Sequence, residues 1–219
     1  MAERERYGRR AALIYGTLID AALRPLRKAI TQACRAEGAA DVLDIACATG
    51  AQCRHLARAG IHATGVDLSG PMVASARRRG GADTDYLLGS ALDLPIPAAS
   101  YDAVLLSLAL HEHPEDERAV MLREALRVLR PRGVLLVADF ARPARTRLHA
   151  PWAIVRLIER SAGPEHHTGF CDFVQHGSLE GLLARRGLTP SRVTRAVFGT
   201  VSIAVVRPLA GTLPQALSN

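Results

Sequence analysis

Lysine is almost absent from this chain: Lys28 is the only one among 28 basic residues, and the rest are arginine. So one-sided a bias reflects genomic composition more than selection for phosphate contacts, so the net charge of +7 is not read as a nucleic-acid footprint. Aromatics are scarce too, at 4%, and few stand beside the arginines to stack on bases. The arginines Arg77, Arg78, Arg79, Arg123, Arg127 and Arg130 are therefore expected on solvated faces. No apolar run reaches the length of a membrane span, and residues 1–10 are polar and charged without a signal-peptide core, so a soluble, cytoplasmic protein is expected. The four cysteines, Cys34, Cys47, Cys53 and Cys171, form no C-x-x-C pair and read as free thiols in a reducing compartment. There is no G-x-G-x-x-G and no Walker lysine, which argues against a phosphate cradle.

What is present is organised around Asp41-Val42-Leu43-Asp44-Ile45-Ala46-Cys47-Ala48-Thr49-Gly50. Apolar, partly β-branched residues run into a carboxylate, small residues and a glycine, and a helically spaced segment with Cys53, Leu56 and Ala57 follows. That pattern predicts a buried strand, a tight loop and a helix, with the loop at the ligand crevice of an open α/β sheet. A second strand, residues 61–67, ends in another acid, Asp67. Two successive strands ending in carboxylates at this spacing suit a ligand with a ribose, whose vicinal hydroxyls need an acceptor.

Residues Val42 through Gly50, as quoted, resemble motif I of the class I S-adenosylmethionine-dependent methyltransferases, V-L-D-x-G-C-G-T-G. Gly65-Val66-Asp67-Leu68-Ser69-Gly70-Pro71-Met72 resembles their second strand and helix start. Gly89-Ser90-Ala91-Leu92-Asp93-Leu94-Pro95 resembles their G-D-A-x-x-L-P loop, Tyr101-Asp102-Ala103-Val104 their F-D-x-V, and residues 126–137 their L-R-V-L-R-P-G-G-x-L-L-V run. The resemblance covers roughly residues 40–140 and is greatest toward quinone-biosynthesis C-methyltransferases and phosphatidylethanolamine N-methyltransferases, although the R-N-V segment of the quinone enzymes is replaced by Leu110-His111-Glu112. It implies a Rossmann-like α/β fold, with a seven-stranded, mostly parallel sheet, an antiparallel C-terminal β-hairpin and helices on both faces. A single domain over residues 1–219 is expected, made of a helical cap (1–40), a cofactor-binding core (41–140), a substrate-selecting insertion (141–177), a last helix and hairpin (178–207) and a tail (208–219). The cap reads as two amphipathic helices breaking near Pro25, the fifth strand as residues 134–140, and the hairpin as 193–198 and 201–206.

The implied cofactor is S-adenosyl-L-methionine, with S-adenosyl-L-homocysteine as product. By the resemblance, Asp44 and the loop Ala46, Cys47, Ala48 and Gly50 hold its methionine portion, Asp67 the ribose, and Leu68, Met72, Ser90, Ala91 and Leu92 the adenine. Tyr15 reaches it from the cap, and Ser107 and Leu108 flank it. Three positions depart from the family pattern: Ala46 and Ala48 replace glycines, and Ser90 replaces an aspartate. A methyl at Ala48 crowds the cofactor or opposes a positive φ, so a catalytically degenerate binding module or partner subunit remains an alternative. A nucleic-acid methyltransferase is a weaker one.

His111 leaves the fourth strand at the crevice and is the candidate general base. Asp139 ends the fifth strand, where it would bind substrate or cap a loop. Trp152, His166, His167, Phe170 and Phe173 are the acceptor-pocket candidates, and their aromatic, neutral character favours a small or lipid-like, partly apolar acceptor. Peripheral membrane contact is compatible with such an acceptor. His111, His113 and the His166-His167 pair do not form a metal signature, so no metal is expected.

Overall fold

The apolar run of the first motif forms β1 (Asp41–Ile45), at the centre of a seven-stranded sheet. The other strands are β2 (His62–Asp67), β3 (Thr84–Leu88), β4 (Tyr101–Ser107), β5 (Leu129–Phe140), β6 (Pro190–Ala196) and β7 (Val201–Val206). The computed structural model describes residues 22–142, 149–161 and 163–208. Strand order is β3-β2-β1-β4-β5-β7-β6; β1 to β5 are parallel, and β7 runs antiparallel to both β5 and β6. The order reverses between β1 and β4, so the switch point lies at their carboxyl ends. Strands covered on both faces need uninterrupted apolar runs, and residues 103–106 and 135–138 are wholly buried.

The helices are α1 (Arg24–Ala36), α2 (Ala51–Ala57), α3 (Gly70–Arg79), α4 (Glu115–Arg127), α5 (His149–Ser161), α6 (Pro164–Gln175) and α7 (Ser178–Arg185). Pro25 lies in the first turn of α1, where a missing N–H costs nothing; the expected helix before it and Tyr15 fall outside the described residues. Ser69 caps α3, its hydroxyl accepting from the Met72 N–H at 3.4 Å. Three acids open α4, in accord with its dipole.

Three expectations need adjusting. β5 starts at Leu129 because Leu129 pairs with Tyr101 before an irregularity in the ladder. β6 spans Pro190–Ala196, and a left-handed turn, Val197–Gly199, lengthens the hairpin connection. The arginines are not all solvated: Arg77 donates to the Tyr86 carbonyl, Arg127 to the Leu94 and Ile96 carbonyls and Glu124, and Arg130 bridges Asp41 and Asp102 at 3.1 and 2.7 Å. Asp102 also accepts from the Ala40 and Asp41 N–H groups, so the amino ends of β1 and β4 are tied together.

Candidate active site

At the carboxyl end of β1 the chain turns through three left-handed residues, Ala46 (φ 60°), Ala48 (φ 49°) and Gly50 (φ 71°). A methyl in this region costs roughly 1–2 kcal/mol, so the two alanines keep a glycine-type loop at a cost in backbone energy. What holds it is Asp67, at the end of β2: its Oδ2 accepts from the Ala48 N–H at 2.7 Å and its Oδ1 from the Ser69 N–H at 2.9 Å. The Cys47 N–H donates to the Val66 carbonyl at 3.0 Å, closing the loop onto β2. Asp44 lies beneath, 3% exposed, and among the described residues its side-chain hydrogen bond comes from the Cys53 thiol at 3.5 Å. Burial lifts its carboxyl to about 7, despite the opposing effects of Cys53 and Arg27. A buried, underneutralised acid beneath a loop of small residues is suited to a ligand's ammonium group.

Met72 is buried at the start of α3, Leu68 is half-buried, and the Ser90 hydroxyl accepts from the Leu92 N–H at 3.0 Å, so it shapes its own turn. Ala91 is buried and Leu92 half-buried. Beyond β4, Ser107 and Leu108 are half-buried, and Leu108 turns at φ 53° into a 3-10 turn, Leu110–Glu112.

That turn opens a second, differently built cluster. Asp139 is 1% exposed and caps it: Oδ2 accepts from the Leu110 and His111 N–H groups at 3.0 and 3.3 Å, while Oδ1 accepts from the Phe140 N–H at 2.7 Å and meets His111 Nδ1 at 2.8 Å. Both oxygens are taken up internally, so loop capping is the reading of Asp139 that the geometry supports. His111 Nε2 stands 3.5 Å from Glu159 of α5, which also bonds His166 Nε2; His166 Nδ1 lies 3.6 Å from Glu112. Burial opposes protonation of His111, but Asp139 and Glu159 outweigh it and lift its pKa to about 10; Glu112 and Glu159 likewise lift His166 to about 9 against burial. The two imidazoles draw Glu159 down to about 2, again against burial. A general base needs a vacant, unprotonated nitrogen, and His111 has a carboxylate at each nitrogen. It is better placed to position its neighbours than to accept a proton.

The aromatic candidates gather around this cluster. His111 meets Phe140 edge-on at 4.7 Å, Phe140 meets Phe170 at 5.1 Å and Trp152 at 6.0 Å, and Phe173 lies under the Arg118 guanidinium at 5.0 Å. Phe170 and Phe173 are packed interior, 2% and 1% exposed. Trp152 Nε1 and His167 Nδ1 are buried with no hydrogen-bond partner among the described residues, while His167 Nε2 lies 3.6 Å from the Cys171 thiol. His113 pairs with Glu117 at 2.7 Å, away from the cluster.

Sequence reasoning missed three of the residues that build this half. Glu159 is a single acid on an amphipathic helix. Arg118, 0% exposed, donates to the Leu110 and Gly169 carbonyls, both at 3.0 Å, and to Asp172 at 2.7 Å, clamping α6 to the 3-10 turn. Gly169 allows that approach, since a Cβ there would meet the Glu112 and His111 carbonyl oxygens at 2.9 and 3.0 Å. The glycine carried a weak signal, lying between His166 and Phe170 on one helix face; the other two carried none.

Carboxylates at the carboxyl ends of β1 and β2, a left-handed loop of small residues between β1 and α2, and a mostly parallel sheet ending in an antiparallel pair are the features of an α/β fold of the methyltransferase type. The family described as Methyltransferase domain matches residues 43–137. A demethylmenaquinone methyltransferase of Renibacterium salmoninarum is 37% identical over 117 residues, 53% of this chain and 48% of that protein. One of the same description from Tropheryma whipplei (strain Twist) is 31% identical over 175 residues, 74% of this chain and 72% of that protein. A solved S-adenosylmethionine-dependent methyltransferase from Aquifex aeolicus shares the fold at a TM-score of 0.59 and 17% identity, over 91% of this chain and 98% of that one. This chain belongs to the class I S-adenosylmethionine-dependent methyltransferases, and S-adenosylmethionine is its cofactor. It spans about half the length of the first of these relatives. Among the described residues no helix is long and apolar enough to cross a membrane.

Proposed function

We propose that the protein transfers the methyl group of S-adenosylmethionine to a small, partly apolar ring acceptor, with hydroquinones the first class to test. The observation that carries this reading is the buried indole N–H of Trp152, without a partner among the described residues and set among Phe140 and Phe170. An unpaired buried donor beside ring edges suits an acceptor carrying both a π-face and an oxygen. The relatives described as demethylmenaquinone methyltransferases support the same class. Ile154, Leu157 and Ile158 on α5 are 60%, 70% and 55% exposed, which supports contact with a lipid surface from which such an acceptor would be drawn.

The bound cofactor supplies a methyl already activated as a sulfonium. Asp44 and the loop from Ala46 to Gly50 would bind its amino acid end, Asp67, steadied by the Ala48 and Ser69 N–H groups but half-buried where Asp139 is fully enclosed, would take the ribose hydroxyls, and Leu68, Met72, Ser90, Ala91 and Leu92 would enclose the adenine. Ser107 and Leu108 would flank the cofactor from the end of β4. An acceptor held on the α5–α6 side would lie in line with the methyl, taking it as the sulfonium C–S bond breaks and giving up its own proton to solvent, and the chain would contribute mainly proximity, orientation and exclusion of bulk water. His111, Asp139 and Glu159 set the position of this wall.

The test is incubation of the full chain with methyl-labelled S-adenosylmethionine and, separately, a demethylated menaquinol, a free fatty acid and phosphatidylethanolamine vesicles, alongside calorimetry of cofactor binding. Label on the quinol, with Trp152→Phe raising its KM and sparing cofactor affinity, is expected. Absence of cofactor binding would favour the degenerate module, for which Ala48 and Ser90 speak, and binding without transfer to any of the three would overturn the acceptor class.

A further inference from the structure

We propose that His111, Glu159 and His166 form a binding site for one divalent transition-metal ion, zinc being the best match, which joins α5 and α6 to the carboxyl end of β4. The three residues come from three separate elements, all are buried, and one ligand atom from each lies within 4.8 Å of the others. Ligands around a tetrahedral zinc at ~2.0–2.2 Å stand roughly 3.3 Å apart, and His111 Nε2 and Glu159 Oε2 are already at 3.5 Å. Two imidazoles and one carboxylate make up a familiar three-ligand zinc set, which leaves a fourth position for water or another oxygen.

The outer groups strengthen the assignment. Each imidazole turns Nε2 toward Glu159 and Nδ1 toward a second carboxylate, Asp139 at 2.8 Å for His111 and Glu112 at 3.6 Å for His166. A metal-ligating histidine is normally oriented in this way, its far nitrogen donating to an acid. Charge balances as well. Three carboxylates face two imidazoles, so without metal the cluster is close to neutral only if both rings are protonated. One divalent ion replacing those two protons leaves the net charge unchanged, and the two protons go to solvent. Phe140, Phe170 and Trp152 screen the centre from water, which favours retention of an ion once bound. The sequence pattern hid this grouping because Glu159 and His166 lie 48 and 55 positions beyond His111, and the neighbouring His113 and His167 do not take part.

This inference is independent of the acceptor's identity. Full-length protein is purified, its metal content measured by mass spectrometry, and the chelator-treated form titrated with zinc and with cobalt(II), whose visible absorption reports tetrahedral coordination. One ion per chain is expected, with a micromolar or tighter Kd and a rise in Tm. Glu159→Gln and His166→Gln, each checked for folding by circular dichroism, should weaken binding by at least a hundredfold, whereas His113→Gln should bind as the parent does. Retention of iron in place of zinc would keep the site and change the ion. Failure of the folded parent chain to bind zinc or cobalt, or equal binding by the Glu159 and His166 variants, would overturn the site and leave a doubly protonated His–Glu–His chain in its place; cofactor calorimetry on the same samples shows whether the methyl-transfer reading survives.

Discussion

The two halves of the crevice are built by opposite means. The half proposed for the cofactor is a backbone structure: a loop of small residues, three of them in left-handed conformations, steadied by one carboxylate from the next strand. The half proposed for the acceptor is a side-chain structure, in which His111, Glu159, His166, Arg118 and the aromatic rings meet from five elements spread along the sequence. The first is encoded locally and tolerates substitution so long as the backbone can follow. The second depends on packing, and one wrong atom propagates through it.

The largest expected effect separates the halves by pH. An unfolded aspartate titrates near ~3.9, and Asp44 in the folded chain near about 7. Between these values the native state holds a proton that the unfolded state has lost, so stability falls as pH rises through that window and levels off above it, by about 4 kcal/mol at most. Urea unfolding from pH 4 to 8 should show this slope in the parent, and Asp44→Asn should lack that component. Binding of the cofactor's ammonium next to Asp44 would release a proton near neutrality, so cofactor affinity should climb from pH 6 to 8 in the parent and stay flat in Asp44→Asn. If the two proteins gave parallel curves, the buried-acid account of the cofactor half would be lost.

Next comes Arg118→Ala, which strands the Leu110 and Gly169 carbonyls and unclamps α6. A loss of about 3 kcal/mol is expected in the free energy of urea unfolding, and a change below about 1 kcal/mol would show that the clamp is incidental. Gly169→Ala should cost about 2 kcal/mol by forcing α6 off the 3-10 turn; its sharper reading is kinetic, with acceptor turnover reduced and cofactor Kd unchanged. The smallest effect belongs to Ala48→Gly, which relieves a left-handed methyl and should add about 1 kcal/mol of stability with tighter cofactor binding. If Ala48→Gly weakened cofactor binding instead, the alanine would be making a favourable contact of its own.

How far each half could be read from the chain follows from the same contrast. The strand–loop–strand pattern with Asp44 and Asp67 is legible because its geometry is set by neighbours in sequence, whereas the seven-stranded sheet is implied only by the family resemblance and its strand order comes from the folded chain. The two helices of the insertion carry a weak aliphatic signal because the inward face of α6 is written in His166, Phe170 and Phe173 and that of α5 in Trp152, Val155 and Glu159, so the helical period is carried mainly by histidine, an acid and rings. Glu159 and Arg118 owe their importance to partners about fifty residues away, and nothing local marks them. Asp139 was placed at the right strand end, but the N–H groups that occupy it belong to a turn whose shape only the folded chain reveals.

The thiols divide along this line as well. Cys34, Cys47 and Cys53 are shut inside the cofactor half, with burial pushing Cys34 up to about 12, whereas Cys171 is half-buried beside His167 in the acceptor half. Alkylation kinetics thus become a built-in two-channel gauge: a first, single modification tracks breathing of α6, and the later three count excursions that open the sheet itself.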